Sequence, residues 1–224
     1  MIERGLRWLA LLAVAAAGAA FTWLVVSVQE EIDDPYWFVQ TWVDAEVDAG
    51  GTATPIDPKD PLLAQRTIVV TSSINERAVA QVIPRLHYLA RLDPHAPIDL
   101  YVTTTGGWRD SAFAIIDTMQ TITPPVNTWA IGGCYSAGTL VVAGGTGKRI
   151  ATPDALLMVH ANLEDTDEPF AQESRELARE ERFWKEHAKL PADWALDSDT
   201  SYYLTAEEAK QYGVVDEVRE RAGR

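Results

Sequence analysis

A serine stands among small residues in the stretch GGCYSAG, residues 132–138. The preceding run VNTWAI predicts a strand, and AGTLVVAG predicts a helix that starts at Ser136. A side chain at such a turn is exposed, and the free N–H groups of a first helical turn favour negative charge that develops beside it. Ser136 is therefore a candidate nucleophile or, in the plainer alternative, an ordinary helix N-cap.

A serine nucleophile needs a base, and the chain has four histidines. His87, His95 and His187 fall in predicted helices and a loop, where a histidine is ordinary surface material. His160 instead ends the apolar strand ALLMVH, so it reaches the same sheet edge as the serine turn. An imidazole there can take the serine proton and return it to a leaving amine. A structural histidine bonded to backbone is the alternative.

The positioning elements alternate along the chain. Helices are predicted at 75–92, 110–122, 168–189 and 205–212, between strands at TIVVTS, IDLYVT, VNTWAI, ALLMVH and VVDEV. This alternation predicts an α/β fold of parallel βαβ units with right-handed crossovers. A second glycine turn, TTTGGW, follows IDLYVT and is expected at the same sheet edge as Ser136 and His160.

Composition excludes several classes of protein. The 224 residues carry a formal charge of −14, which argues against a nucleic-acid surface. The single cysteine, Cys134, excludes an internal disulfide and a Cys-rich zinc site, and is expected to behave as a small apolar residue. The stretch GGTGKR lacks the GK[ST] ending of a phosphate-binding loop. The sequence predicts no metal and no cofactor.

The N-terminus predicts a membrane anchor. Residues 8–29 are uncharged and long enough for a helix to cross about 30 Å of hydrocarbon. Arg4 and Arg7 precede this run and four acidic residues follow it, which places residues 1–7 in the cytoplasm and everything after residue 30 outside. The alternative is a cleaved signal peptide, because AAAGAA offers small residues to a peptidase.

Three segments follow from this division: residues 1–29 as cytoplasmic N-terminus and anchor, 30–65 as juxtamembrane segment and linker, and 66–224 as the folded domain. The linker is indicated by Gly, Pro, Asp and Thr without apolar periodicity over 44–65. The aromatic residues of 36–42 suit either a membrane-interface belt or a patch that packs on the folded domain.

From Arg66 to about Val218 the chain resembles the proteolytic subunit of the Clp protease, within the superfamily that shares the crotonase fold. The motifs GGWRDSAFAIIDTMQTITPPV, GGCYSAG, AGGTGKR, MVH and LTAEEAKQYGVVDEV occur in the family's order. The resemblance implies a parallel βαβ spiral, serine peptidase activity on polypeptides, and a homo-oligomer. It also implies Ser136 as nucleophile, His160 as general base, and the N–H groups of Gly107 and Ala137 as the oxyanion hole, with Cys134 filling space and Tyr135 packing.

The family's third catalytic residue is an aspartate, and here its position is Ser201. A serine cannot stabilise an imidazolium by charge. Asp199 is therefore expected to substitute through a shifted loop, with a Ser136–His160 dyad or an inactive homologue as alternatives. Asp197 and Asp199 also suit solvated turn positions.

Two further stretches depart from the family. After His160 the chain has acidic NLEDTDEP, then a charged helix whose Leu177, Phe183 and Trp184 are candidate apolar contacts for assembly. The anchor implies a domain outside the cytoplasm, where there is no ATP, so pairing with an unfoldase ATPase is hard to sustain.

These features predict a membrane-tethered serine peptidase. Three alternatives remain: a non-catalytic scaffold subunit, an acyl-CoA enzyme of the crotonase type with carboxylates as acid and base, and the membrane-bound signal-peptide-peptidase branch with a Ser–Lys dyad.

Overall fold

The computed structural model describes residues 56–160, 170–192, 194 and 200–220. Along the chain the elements are α1 (Pro61–Ala64), β1 (Thr67–Val70), α2 (Glu76–Leu92), β2 (Ile98–Thr104), α3 (Arg109–Thr121), β3 (Val126–Tyr135), α4 (Ala137–Ala143), β4 (Arg149–Ala151), β5 (Leu156–Val159), α5 (Phe170–His187), β6 (Tyr202–Thr205), α6 (Ala206–Gln211) and β7 (Glu217–Val218). The predicted mixed α/β fold is confirmed.

One sheet contains these strands, in the order β1-β2-β3-β4-β7 with β5 and β6 off that path. The strand β3 has two partners on one edge, because Thr128–Ala130 pair with β4 and Gly133–Tyr135 pair with β5. Gly132, with a φ of +58°, lies between the two pairings. All pairings are parallel except that of β5 with β6. This branching brings the ends of β3 and β5 side by side.

The core lies on one face of the central strands. In β2 the buried residues alternate with half-buried ones, so Ile98, Leu100 and Val102 point into the core. On the other face Tyr101 stacks on Trp129 of β3, with ring centroids 5.1 Å apart. The alternation also explains why apolar periodicity alone located these strands.

Two strands escaped the sequence analysis. The strand β4 has three residues, and β6 follows a run of Asp, Ser and Thr, so neither presents a long apolar pattern. The predicted strand VVDEV reduces to Glu217–Val218, because Val214 and Val215 are buried in the turn after α6. Short strands are defined by their neighbours' backbone groups, which local sequence does not reveal.

The packed domain begins earlier than Arg66. Residues 61–64 form α1, which Asp60 caps by accepting a hydrogen bond from the Leu62 N–H at 2.8 Å. Leu63 is 4% exposed in the main core, and Ile56 packs against that core. Leu63 and Ile56 thus pack on the core, although the sequence analysis assigned both residues to the segment before the folded domain.

The charged helix α5 packs on its own domain. Phe183 and Trp184 are buried in the main core, and Phe183 meets the Phe113 ring of α3 edge-on at 5.6 Å. The ring of His187 stacks on Phe183, with centroids 4.2 Å apart. Phe183 and Trp184 are therefore intramolecular contacts, and the expectation that they serve assembly is corrected.

Within the described ranges, no helix combines the length and the apolar composition needed to cross a bilayer. The predicted span, residues 8–29, lies outside those ranges.

The burial of α1 generates a stability prediction. We expect Leu63→Ala to lower the free energy of unfolding by about 2–5 kcal/mol, because a core leucine is lost and a cavity remains. The matched control is Leu62→Ala, where the leucine is 45% exposed and the loss should stay within about 0.5 kcal/mol. Urea denaturation of both variants tests this, and equal small effects would mean that α1 is part of a linker after all.

Candidate active site

Ser136 occupies a sharp turn between β3 and α4. Its backbone has φ 53° and ψ −121°, a conformation that a residue with a Cβ rarely adopts. It stands at the N-cap position of α4, but its hydroxyl makes no bond to the first helical turn. The Ser136 side chain therefore does not cap α4.

That hydroxyl meets His160. The distance from Ser136 Oγ to His160 Nε2 is 2.6 Å, although 24 residues separate the two in sequence. The contact follows from the parallel pairing of β3 with β5, since His160 directly follows β5 and the Ser136 N–H donates to the Met158 carbonyl at 2.9 Å. With Nε2 as acceptor the serine hydroxyl donates, which is the arrangement of a nucleophile with its base.

The turn Gly106–Gly107 lies against the serine. A Cβ placed on Gly106 would come within 2.8 Å of Ser136 Cβ and 3.3 Å of Ser136 Oγ. Gly107 has a φ of +146° and faces the backbone of Ile74, where a Cβ would overlap it. Only glycine permits both the backbone conformation and the close approach at these positions.

Gly107 and Ala137 directly follow Gly106 and Ser136 in the two turns. Around Gly107 the bridge to Ile74 uses the Trp108 N–H (2.7 Å to the Ile74 carbonyl) and the Ile74 N–H (2.8 Å to the Gly106 carbonyl), so the Gly107 N–H takes no part in it. Ala137 is the first residue of α4, where the helix supplies no carbonyl to the N–H. Among the residues that the structure describes, neither N–H group has a hydrogen-bond acceptor.

Two buried threonines were missed by sequence reasoning. Thr139 Oγ1 lies 2.8 Å from both the Cys134 and Met158 carbonyls, so its hydroxyl ties α4 to the ends of β3 and β5. Thr104 Oγ1 accepts a hydrogen bond from the Gly106 N–H at 3.1 Å and so holds the glycine turn. Thr139 lies in the apolar run AGTLVVAG and Thr104 in the middle of TTT, so neither position carries a sequence signal beyond its residue type.

The two residues that precede Ser136, Cys134 and Tyr135, make packing contacts. Cys134 is fully buried, and burial raises the pKa of its thiol well above the usual value, so the thiol stays protonated. The Tyr135 ring packs edge-on against Tyr203 of β6, with centroids 6.0 Å apart. Neither side chain is placed for chemistry at Ser136.

Ser201 lies next to the end of the β5–β6 ladder. Val159, the last residue of β5, pairs with Tyr202, the first residue of β6, so His160 directly follows this last pair on one strand and Ser201 directly precedes it on the other. Ser201 is exposed. Asp197 and Asp199 lie outside the described residues, so the structure brings together Ser136, His160, Gly107 and Ala137 without placing an aspartate.

In the part of the chain that the structure describes, no group of three His, Cys, Asp or Glu side chains could hold a metal ion. At the site itself the structure shows one side-chain contact that suits chemistry, between the hydroxyl of Ser136 and the imidazole Nε2 of His160.

Comparison with known proteins shows which family the chain belongs to. The sequence model of the Clp protease family matches residues 50–222. The chain is 36% identical over 171 residues to the ATP-dependent Clp protease proteolytic subunit of Dehalococcoides mccartyi, covering 71% of this chain and 84% of that protein. It is 34% identical over 169 residues to proteolytic subunit 1 of Bacillus cereus, covering 71% and 88%. With proteolytic subunit 2 of Corynebacterium jeikeium the identity is 32% over 172 residues, covering 72% and 82%.

The family model spans well over half of the chain and includes both glycine turns, Ser136 and His160. Each alignment covers most of the relative's length, so the likeness extends across the folded domain. The chain belongs to the Clp protease family.

Proposed function

We propose that the protein is a membrane-tethered serine peptidase that cleaves polypeptides through an acyl-enzyme. The observation that carries the proposal is the 2.6 Å contact between Ser136 Oγ and His160 Nε2, made on a strained turn beside two glycines. The relatives named as proteolytic subunits support the same reaction class.

In the first half-reaction Ser136 Oγ attacks the scissile carbonyl while His160 Nε2 takes its proton. The histidine then returns that proton to the leaving amine, and the C–N bond breaks. In the second half-reaction a water molecule attacks the acyl-enzyme, with His160 again as base, which releases the new carboxyl end and restores the serine.

The Gly107 and Ala137 N–H groups are the proposed oxyanion hole. They donate to the carbonyl oxygen as it gains negative charge, and their backbone positions are fixed before the substrate binds. Loss of one such donor typically costs about 3–4 kcal/mol of transition-state stabilisation. Since both donors are backbone groups, the protein controls them through the conformation of the two turns.

Asp199 is the proposed orienting acid. It takes the role of the family's aspartate, whose position is occupied by Ser201 in this chain. Without a carboxylate on Nδ1 the imidazole loses its preferred tautomer and the imidazolium its counter-charge, which can cost about 10⁴-fold in turnover. The presence of Ser201 at this position is also the observation that favours a catalytically inactive scaffold subunit. The Ser136–His160 contact argues against the crotonase-type acyl-CoA enzyme, which has no use for it.

The proposed location rests on the N-terminus. Residues 8–29 form the single membrane span, Arg4 and Arg7 stay in the cytoplasm, and the catalytic domain lies on the other side. Substrates are then membrane-proximal or already unfolded polypeptides, cleaved by a homo-oligomer. An ATPase partner of the kind implied by the relatives' names would have no ATP there.

The reaction itself is tested with a fluorophosphonate probe on the full-length protein in detergent. We expect labelling at Ser136, mapped by mass spectrometry, and its loss in both Ser136→Ala and His160→Ala, because the hydroxyl is unreactive without its base. His95→Ala, in an exposed loop, is the matched histidine control and should label like the parent. Absence of labelling in the correctly folded parent would favour the scaffold function.

The orienting acid is tested by its removal and relocation. We expect Asp199→Asn to slow labelling by about 10²- to 10⁴-fold, since the imidazole loses its counter-charge. In that background Ser201→Asp should recover much of the rate, because Ser201 directly precedes Tyr202, whose ladder partner Val159 directly precedes His160. Ser201→Asn, which has the same shape without the charge, should not. An unchanged rate in Asp199→Asn would remove this residue from the mechanism.

The tether is tested by fractionation of cells that express the full chain. We expect the protein to stay in the membrane fraction after carbonate washing and the domain to be digested by protease added from the non-cytoplasmic side. A variant that lacks residues 8–29 is the control and should be released. Recovery of the parent in the soluble fraction, or protection of its domain, would contradict the proposed location.

A further inference from the structure

A buried ion pair joins α5 to the first turn of α3. Arg109 Nε lies 2.7 Å from Glu180 Oε2, and the two side chains are 19% and 6% exposed. Arg109 Nη1 also contacts Glu176 Oε2 at 3.3 Å, and the Trp184 indole donates to Glu180 Oε1 at 3.2 Å. The carboxylate of Glu180 thus holds one partner on each helix.

A second contact lies alongside this pair. Arg179 Nη2 is 2.9 Å from Asp110 Oδ1, and the Arg179 guanidinium lies 3.8 Å from the centroid of the Phe113 ring. The first turn of α3 is therefore attached to α5 through consecutive residues, Arg109 and Asp110.

This attachment begins two residues after the oxyanion glycine. Gly107 is followed by Trp108 and then by Arg109, the first residue of α3. On its other side the turn is fixed by the bridge between Ile74 and the Gly106–Trp108 backbone. Two adjacent glycines have little conformational preference of their own, so these two anchors decide where the Gly107 N–H points.

Stability alone does not account for the pair. Burial raises the pKa of Glu180, an effect that Arg109 opposes, so the carboxylate is held at a desolvation cost. Apolar residues of similar volume often stabilise such a buried site equally well or better. What they do not supply is a directional bond that fixes the position of α3 relative to α5.

We propose that Arg109 and Glu180 are positioning residues, which hold the Gly106–Gly107 turn so that the Gly107 N–H faces the oxyanion. They act through the backbone and touch no substrate. This inference rests on the proposed function, and it assigns α5 the task of fixing the oxyanion turn.

The test separates the maximal labelling rate of Ser136 from the binding of the probe, in the full-length protein. We expect Glu180→Gln to lower the maximal rate of fluorophosphonate labelling by about 10- to 100-fold, with the half-saturating concentration within about twofold, because a misplaced donor affects the transition state. Glu181→Gln is the matched control, since Glu181 is exposed and pairs only with Lys185 among the residues described. It should leave the rate unchanged.

A paired variant distinguishes positioning from stability. Arg109→Met with Glu180→Gln removes both charges while the amide oxygen still accepts from the Trp184 indole, so we expect thermal stability close to that of the parent and a maximal rate as low as that of Glu180→Gln alone. A rate restored to the parent value in this double variant would overturn the proposal, as would an unchanged rate in Glu180→Gln.

Hydrogen exchange gives a readout that does not need activity. In Glu180→Gln the Trp108 and Gly106 N–H groups, bonded to the Ile74 carbonyl and Thr104 Oγ1, should exchange faster than in Glu181→Gln. If the parent protein does not label, the proposed function fails, and faster exchange in Glu180→Gln would still support the positioning role. Unchanged exchange would overturn the positioning role itself.

Discussion

The candidate active site depends on one unfavourable backbone conformation, at Ser136. A serine adopts a φ of 53° only when its surroundings hold it there, and three groups do so. The Ser136 N–H bonds to β5, the Thr139 hydroxyl ties α4 to the ends of β3 and β5, and Gly138 leaves room for α4 against the Thr104 side chain. The strain directs the hydroxyl away from its own helix and toward His160. A relaxed serine would instead be an ordinary cap.

The branching of the sheet at β3 makes this geometry possible. One strand pairs first with β4 and then with β5, so two strand ends that carry different chemistry meet side by side. The glycine turn after β2 completes the site from the opposite edge of β3, and Thr104 pairs with Cys134 there. Ser136, His160 and the Gly106–Gly107 turn thus come from three strand ends of one sheet, which gives precision that separate loops would not.

The parts that depart from the family pattern surround this shared centre. Ser201 lies beside the end of the β5–β6 ladder that leads to His160, and α5 packs Phe183 and Trp184 into its own domain. The buried Arg109–Glu180 pair connects that helix to the oxyanion turn. Ser136 and His160 are in direct contact, while the Arg109–Glu180 pair and the packing of α5 are features of this chain. We expect differences in activity between this protein and its relatives to arise from Ser201, α5 and the Arg109–Glu180 pair.

The sequence by itself determined the α/β alternation, most helix bounds to within two residues, and the candidate residues Ser136 and His160, whereas Gly107 and Ala137 were implied by the family resemblance. Apolar period and glycine motifs are local signals, and they survive in a single chain. Only the tertiary structure decided that Ser136 Oγ meets His160, that β4 and β6 exist, that α1 belongs to the core, and that Arg109 is bonded to Glu180. Each of these depends on pairing between residues distant in sequence, and no local pattern encodes such pairing.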